Sequence, residues 1–108
     1  MGLFTVGQIV VLPFPFSDLT QNKYRPSLLL ASIENNDWIV CQITSKSYAS
    51  RNEIELKNSD LLTGNLRQVS YVRVGKLFTA NESVFTGIIG QLKSNKMREV
   101  REAIINLF

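Results

Sequence analysis

Residues 27–44 contain two apolar runs, SLLLASI and WIVCQIT, separated by only four residues, ENND. That spacing constrains the fold more than any other feature. Four residues cannot hold a helical crossover, so the two runs must turn back on each other as an antiparallel pair. Asn35-Asn36-Asp37 supplies the turn, because Asn and Asp tolerate left-handed backbone and hydrogen-bond their own chain. Neither run alternates polar and apolar residues, which predicts strands covered on both faces, as in a small barrel.

The same reading extends along most of the chain. Gln8–Phe14 is a mostly apolar strand expected to end or bend at the PFPF segment, where the prolines cannot donate to a ladder. Residues 15–25 (PFSDLTQNKYR) read as a polar loop. Glu53–Lys57 alternates, with Ile54 and Leu56 inward. Asn58–Asn65 reads as a loop, Gln68–Phe78 as a longer strand with Gly75 as the place for a kink, and Ile88–Leu92 as a last short apolar segment. Ser94 is the expected N-cap of a helix over Asn95–Leu107. Met97, Val100, Ala103, Ile104 and Leu107 share its apolar face. Five or six short strands and one C-terminal helix predict a mainly β domain spanning 1–108, a small twisted antiparallel barrel with the helix over one open side.

Composition narrows the chemistry. The 108 residues contain no histidine and one cysteine, Cys41, so there is no His general base, no His metal site and no thiolate cluster. The 12 Lys+Arg exceed the 9 Asp+Glu by three, an excess that permits a polyanionic partner without requiring one. No leader or membrane span is read in MGLFTVGQIVVLPFPF, so no membrane partner is expected and a cytoplasmic location is the default.

Three places set reactive groups beside backbone breaks. Pro26 forces Arg25 toward extended geometry at the entrance of a core strand, where a guanidinium can clamp phosphate or carboxylate; the alternative is a solvated surface Arg. Thr44-Ser45-Lys46 emerges at the barrel rim, where hydroxyls can donate to a phosphoryl oxygen; the alternative is a turn that ends the strand. Tyr71 and Arg73 lie two apart on one strand face and could stack a base and hold its phosphate; the alternative is a core Tyr beside a solvated Arg. Trp38 and Cys41 read as core.

Taken together, GQIVVLPFPF (7–16), YRPSLLLAS (24–32), WIVCQITSK (38–46), SYVRVGKLF (70–78) and IGQLKSNKMREVREAI (89–104) resemble the MazF/PemK/Kid growth-inhibitor toxins of bacterial toxin–antitoxin modules, nearer the PemK-like branch. The resemblance implies an SH3-like, CcdB/PemK-type barrel. It implies a homodimeric, sequence-specific endoribonuclease that needs no metal or cofactor, cuts single-stranded mRNA and is silenced by an acidic antitoxin. The family's catalytic Arg falls on Arg25 and its strand-three hydroxyl on Thr44. Lys23, Tyr24, Ser45, Lys46 and Arg73 become candidate RNA contacts. Three departures stand out: Gln8 in place of an Asp, Gly75 in place of an Asp found in some members, and no histidine in the first loop. Two other readings stay open: a catalytically inactive RNA- or antitoxin-binding barrel, and a gyrase poison of the same fold. The ending AIINLF lacks the Trp-Gly-Ile pattern of gyrase poisons.

Overall fold

The computed structural model describes residues 3–15, 22–49 and 51–108. The strands are β1 (Gln8–Pro15), β2 (Asn22–Ser32), β3 (Asp37–Thr44), β4 (Glu53–Leu56), β5 (Leu61–Gly64), β6 (Ser70–Asn81) and β7 (Gly87–Leu92), followed by helix α1 (Ser94–Ile105). They form one antiparallel sheet in the order β4-β6-β3-β2-β1-β7-β5. The sheet curls into an open barrel, the mainly β fold with one C-terminal helix expected from the sequence.

The closing force is a single apolar cluster fed by every strand. Ile9, Leu28, Cys41, Ile43, Leu56, Leu61, Val72 and Leu92 meet Met97 and Val100 of α1 inside the curl. The two edge strands, β4 and β5, do not pair with each other, yet both contribute to this cluster, so burial rather than hydrogen bonding closes the barrel. The central strands carry a second cluster on their other face: Val10, Leu12, Leu29, Trp38, Val40 and Ala80, with Phe4, Phe78 and Phe85 packed on it. This is the double coverage that the unbroken runs in 27–44 imply. The neighbours Ile9 and Val10, Leu28 and Leu29, and Val40 and Cys41 divide between the two clusters.

The β2–β3 turn has the expected chemistry. Asn35 and Asn36 both take positive φ, 63° and 64°, as the central residues of a type I′ turn require.

Several boundaries differ from the sequence reading. β1 does not end at the prolines; it pairs with β2 through Pro15. The reason is position in the sheet. β7 pairs with β1 only over Gln8–Val11, and Thr86 then donates its N–H to the Val11 carbonyl at 2.8 Å. Beyond that point β1 is an edge on one side, where a missing N–H costs nothing. Of the expected loop 15–25, residues 22–25 belong to β2, and residues 16–21 lie outside the described residues. Asn58–Asn65 holds a short turn and then β5, a strand hidden in the sequence because Leu62 is exposed and breaks the pattern. β6 runs on to Asn81 and bends where expected: Cys41 faces Leu77 but Ile43 faces Val72, so two steps along β3 match five along β6 around Gly75. Ser94 is the first helical residue rather than the cap, since Lys93 holds the cap position without a side-chain bond. The helix ends at Ile105, which leaves Leu107 39% exposed instead of on the buried face.

Candidate active-site cleft

A cleft of about 300 Å³ opens where the ends of β2 and β3 approach the β5–β6 connection. Tyr24, Arg25 and Pro26 come from β2; Ile43 and Thr44 come from the end of β3, and Ser45 follows it. Asn65, Leu66, Arg67, Gln68 and Ser70 form the facing wall, and Ile89 of β7 adds apolar lining.

The β2 contribution follows from the register. Arg25 faces Leu12 and Pro26 faces Val11, so the Arg-Pro pair sits inside a ladder that fixes its backbone while the half-buried Arg25 side chain lines the cleft. Thr44 is the last residue of β3 and is 8% exposed. Its Oγ1 accepts the Lys46 N–H at 3.1 Å. The turn reading of Thr44 and the functional reading are therefore compatible. A hydroxyl that accepts from the backbone is held in place and keeps its own proton to donate. Ser45 and Tyr24 are exposed at the cleft mouth.

The other expected contacts lie elsewhere. Lys23 is exposed on β2 and does not line the cleft. Lys46 and Arg73 gather around Tyr48, a residue the sequence reading passed over. The Arg73 guanidinium lies 4.2 Å from the Tyr48 ring centroid and the Lys46 ammonium 5.8 Å. Among the described residues Arg73 thus makes its ring contact with Tyr48 and not with its strand neighbour Tyr71. The Glu53 carboxylate orders this loop: it accepts the Ser47 hydroxyl at 3.0 Å and the Tyr48 N–H at 2.7 Å.

Arg67, Gln68 and Asn65 are cleft residues that sequence reasoning missed. The one available signal was Gly64, whose φ of +87° ends β5 and turns the chain toward the cleft. Gln8, the first departure from the family pattern, does not line the cleft; its Oε1 accepts the Thr5 N–H at 2.9 Å and closes a turn before β1. Cys41 is fully buried, its thiol donates to the Arg73 carbonyl at 2.9 Å, and burial pushes its pKa up to about 12. It is a packing residue and no nucleophile. Among the described residues no three His, Cys, Asp or Glu side chains converge as a metal site. No helix among them is long and apolar enough to cross a membrane.

The family model of PemK-like, MazF-like toxins of type II toxin–antitoxin systems matches residues 5–108. The chain belongs to that family. A search of curated proteins finds no match. Among solved structures, the fold is shared with MazF in a MazE-MazF crystal form from Deinococcus radiodurans at 18% identity and a TM-score of 0.77, covering 99% of this chain and 96% of that one. It is also shared with the Mycobacterium tuberculosis toxin MazF-mt6, at 21% identity and a TM-score of 0.70, over 92% of this chain and 93% of that one. A mycobacterial endoribonuclease in complex with its cognate antitoxin gives 16% identity and a TM-score of 0.72, over 94% and 90% of the two chains. Family membership thus agrees with the resemblance carried by the Arg-Pro and Thr-Ser segments, and both of those segments line the cleft.

Proposed function

We propose that this member of the toxin family is a metal-independent endoribonuclease that cuts single-stranded mRNA at the Arg25–Thr44 cleft. The observation that carries the reading is the meeting of Arg25 and Thr44 in one cleft, with the Thr44 hydroxyl fixed as an acceptor and its proton left to give. Structural neighbours described as endoribonucleases, one of them in complex with its antitoxin, support it.

RNA supplies its own nucleophile, the 2′-OH. The oxygen attacks the adjacent phosphorus, the P–O5′ bond breaks, and the products are a 2′,3′-cyclic phosphate and a 5′-OH. One proton leaves the 2′-OH and one reaches the O5′ leaving group. Arg25 binds the scissile phosphate and aims a hydrogen bond at the leaving oxygen. A guanidinium with a pKa above ~12 suits a donor and not a base. Thr44 donates to a non-bridging oxygen as charge builds there. Tyr24 and Ser45 contact the strand at the mouth. Lys23, and Lys46 and Arg73 around Tyr48, hold RNA outside the cleft, where an aromatic ring flanked by cations accepts any base.

The same basic surface suits an acidic antitoxin, and the active form is a homodimer in the cytoplasm. The net charge of +3 is compatible with both polyanionic partners.

The test is a long mixed-sequence RNA incubated with purified protein in EDTA. Discrete cuts ending in 2′,3′-cyclic phosphate are expected. Arg25→Ala and Thr44→Ala should each lower the rate by about 10²–10³, the usual cost of losing one donor to a developing oxyanion, with the β-rich circular dichroism spectrum unchanged. A folded Arg25→Ala that cuts at the wild-type rate overturns the assignment. RNA that is shifted but intact with wild-type protein means a binding barrel instead.

A further inference from the structure

The wall of the cleft facing Arg25 is built with more care than a connection between strands needs. Four separate devices fix residues 65–68. Gly64 and Gly90 cross so closely that a Cβ on Gly64 would stand 2.1 Å from the Ile89 carbonyl oxygen and 2.4 Å from the Gly90 Cα. Leu66, only 7% exposed, plugs the segment into the barrel core. The Asn58 side chain then grips the Leu66 backbone from both sides: Oδ1 accepts the Leu66 N–H at 2.6 Å, and Nδ2 donates to the Leu66 carbonyl at 3.3 Å. Ser70 adds a fourth tie, donating its hydroxyl to the Gln68 carbonyl at 3.1 Å.

The residue this anchored segment presents to the cleft is Arg67. It is exposed, it lines the cleft, and among the described residues it has no ion-pair or hydrogen-bond partner. A guanidinium with no partner on a fixed backbone keeps all its donors for a ligand and loses little backbone freedom on binding. Among the described residues the carboxylates that form ion pairs, Glu55, Asp60 and Glu99, engage Lys57 and Lys96, and none pairs with Arg67.

We propose that Arg67 is a second phosphate-binding guanidinium of the cleft, holding an RNA phosphate that flanks the scissile one, and that Asn58 is the positioning residue that keeps it there through Leu66. The inference deepens the nuclease reading and rests on it. Arg25 and Thr44 engage the reacting phosphate from the β2–β3 wall. Arg67 engages its neighbour from the β5–β6 wall, so the strand is held at two successive points across the bond to be cut. Arg67 acts equally in the ground state and the transition state, so it sets KM and leaves kcat alone.

The experiment measures binding to a mixed-sequence 2′-O-methyl RNA oligonucleotide, which lacks the nucleophile at every position, across a salt series. One phosphate contact on a single strand contributes about 0.7 to the slope of log K against log salt, which is about fivefold in affinity at 0.1 M salt. Arg67→Ala should reduce the slope by about 0.7 and weaken binding about fivefold, and should raise KM on cleavable RNA by a similar factor with kcat within twofold. Arg67→Lys should retain the slope. Asn58→Ala should weaken binding in the wild-type background and have no effect on binding in the Arg67→Ala background, while lowering the unfolding midpoint equally in both. A purely structural Asn58 would weaken binding in both backgrounds, and that result overturns its positioning role. Wild-type protein that cuts RNA while Arg67→Ala keeps the full slope overturns the assignment of Arg67 and leaves the nuclease reading standing. A wild-type protein that neither binds nor cuts RNA overturns both.

Discussion

Replacing Gly64 with Ala tests whether the β5–β7 crossing is as tight as its geometry says. Two costs arise together. The φ of +87° is one that an L side chain rarely adopts, at roughly 1–2 kcal/mol for a left-handed residue. The new Cβ would also meet backbone, the Ile89 carbonyl oxygen at 2.1 Å, which no side-chain rotation can relieve. Relief needs β5 and β7 to part, against the pairs Leu61↔Leu92, Thr63↔Gln91 and Gly64↔Gly90. Overpacking of this sort costs typically 1–3 kcal/mol, so a total of about 2–5 kcal/mol is expected. A domain of 108 residues unfolds with an entropy near 0.23 kcal/mol/K. The midpoint should then fall by about 9–22 °C, and the free energy lost is a large part of a stability of roughly 5–15 kcal/mol. Gly75→Ala is the internal control. It has no atom within 4 Å of its would-be Cβ and no positive φ, so it should be neutral or stabilise by up to about 1 kcal/mol. Thermal and urea unfolding of both variants decide the matter. Gly64→Ala within about 0.5 kcal/mol of wild type would show that the strands are not locked at this crossing and that Gly64 does not help to fix residues 65–68.

Two further outcomes follow from the local chemistry. Cys41 titrates at about 12 in the fold against 9.0 ordinarily, because burial disfavours the thiolate. Its contribution to stability is constant below pH 9, where the thiol is neutral in both states, and falls by about 1.4 kcal/mol per pH unit between about 9 and 12, as the unfolded chain alone ionises. Urea unfolding under reducing conditions at pH 8 to 10.5 should show this decline, and Cys41→Ala should remove that part of the slope. At the β2–β3 turn, Asn36 sits at φ 64°. Asn36→Gly should stabilise by a few tenths to about 1 kcal/mol, since Asn-Gly is the preferred pair for a type I′ turn; a loss of stability in urea unfolding would refute the turn assignment.

Much of the molecule is set by local pattern. The apolar runs around ENND dictate an antiparallel pair buried on both faces, because a period that never alternates leaves no face for water. Asn35 and Asn36 dictate the turn, and the spacing of Met97 and Val100 dictates the face that α1 buries. Arg25 beside Pro26 and Thr44 at a strand end were legible as candidate chemistry, because a proline and a strand terminus act on their neighbours in sequence. Tertiary structure decided what depends on strands meeting from far apart in the chain. β5 exists only because β7 lies beside it; alone, LLTG has too little alternation to announce a strand. The prolines of β1 are tolerated because β7 stops short of them, which is a property of sheet order. Arg73 left its strand neighbour Tyr71 for the ring of Tyr48 because Glu53 pins the β3–β4 loop there. Arg67 became a wall of the cleft because Gly64 meets Gly90 and Asn58 grips Leu66. Short-range sequence carries backbone preference and periodicity, so it could name Arg25 and Thr44. Only the closing of the barrel over its shared core could bring them opposite residues 65–68.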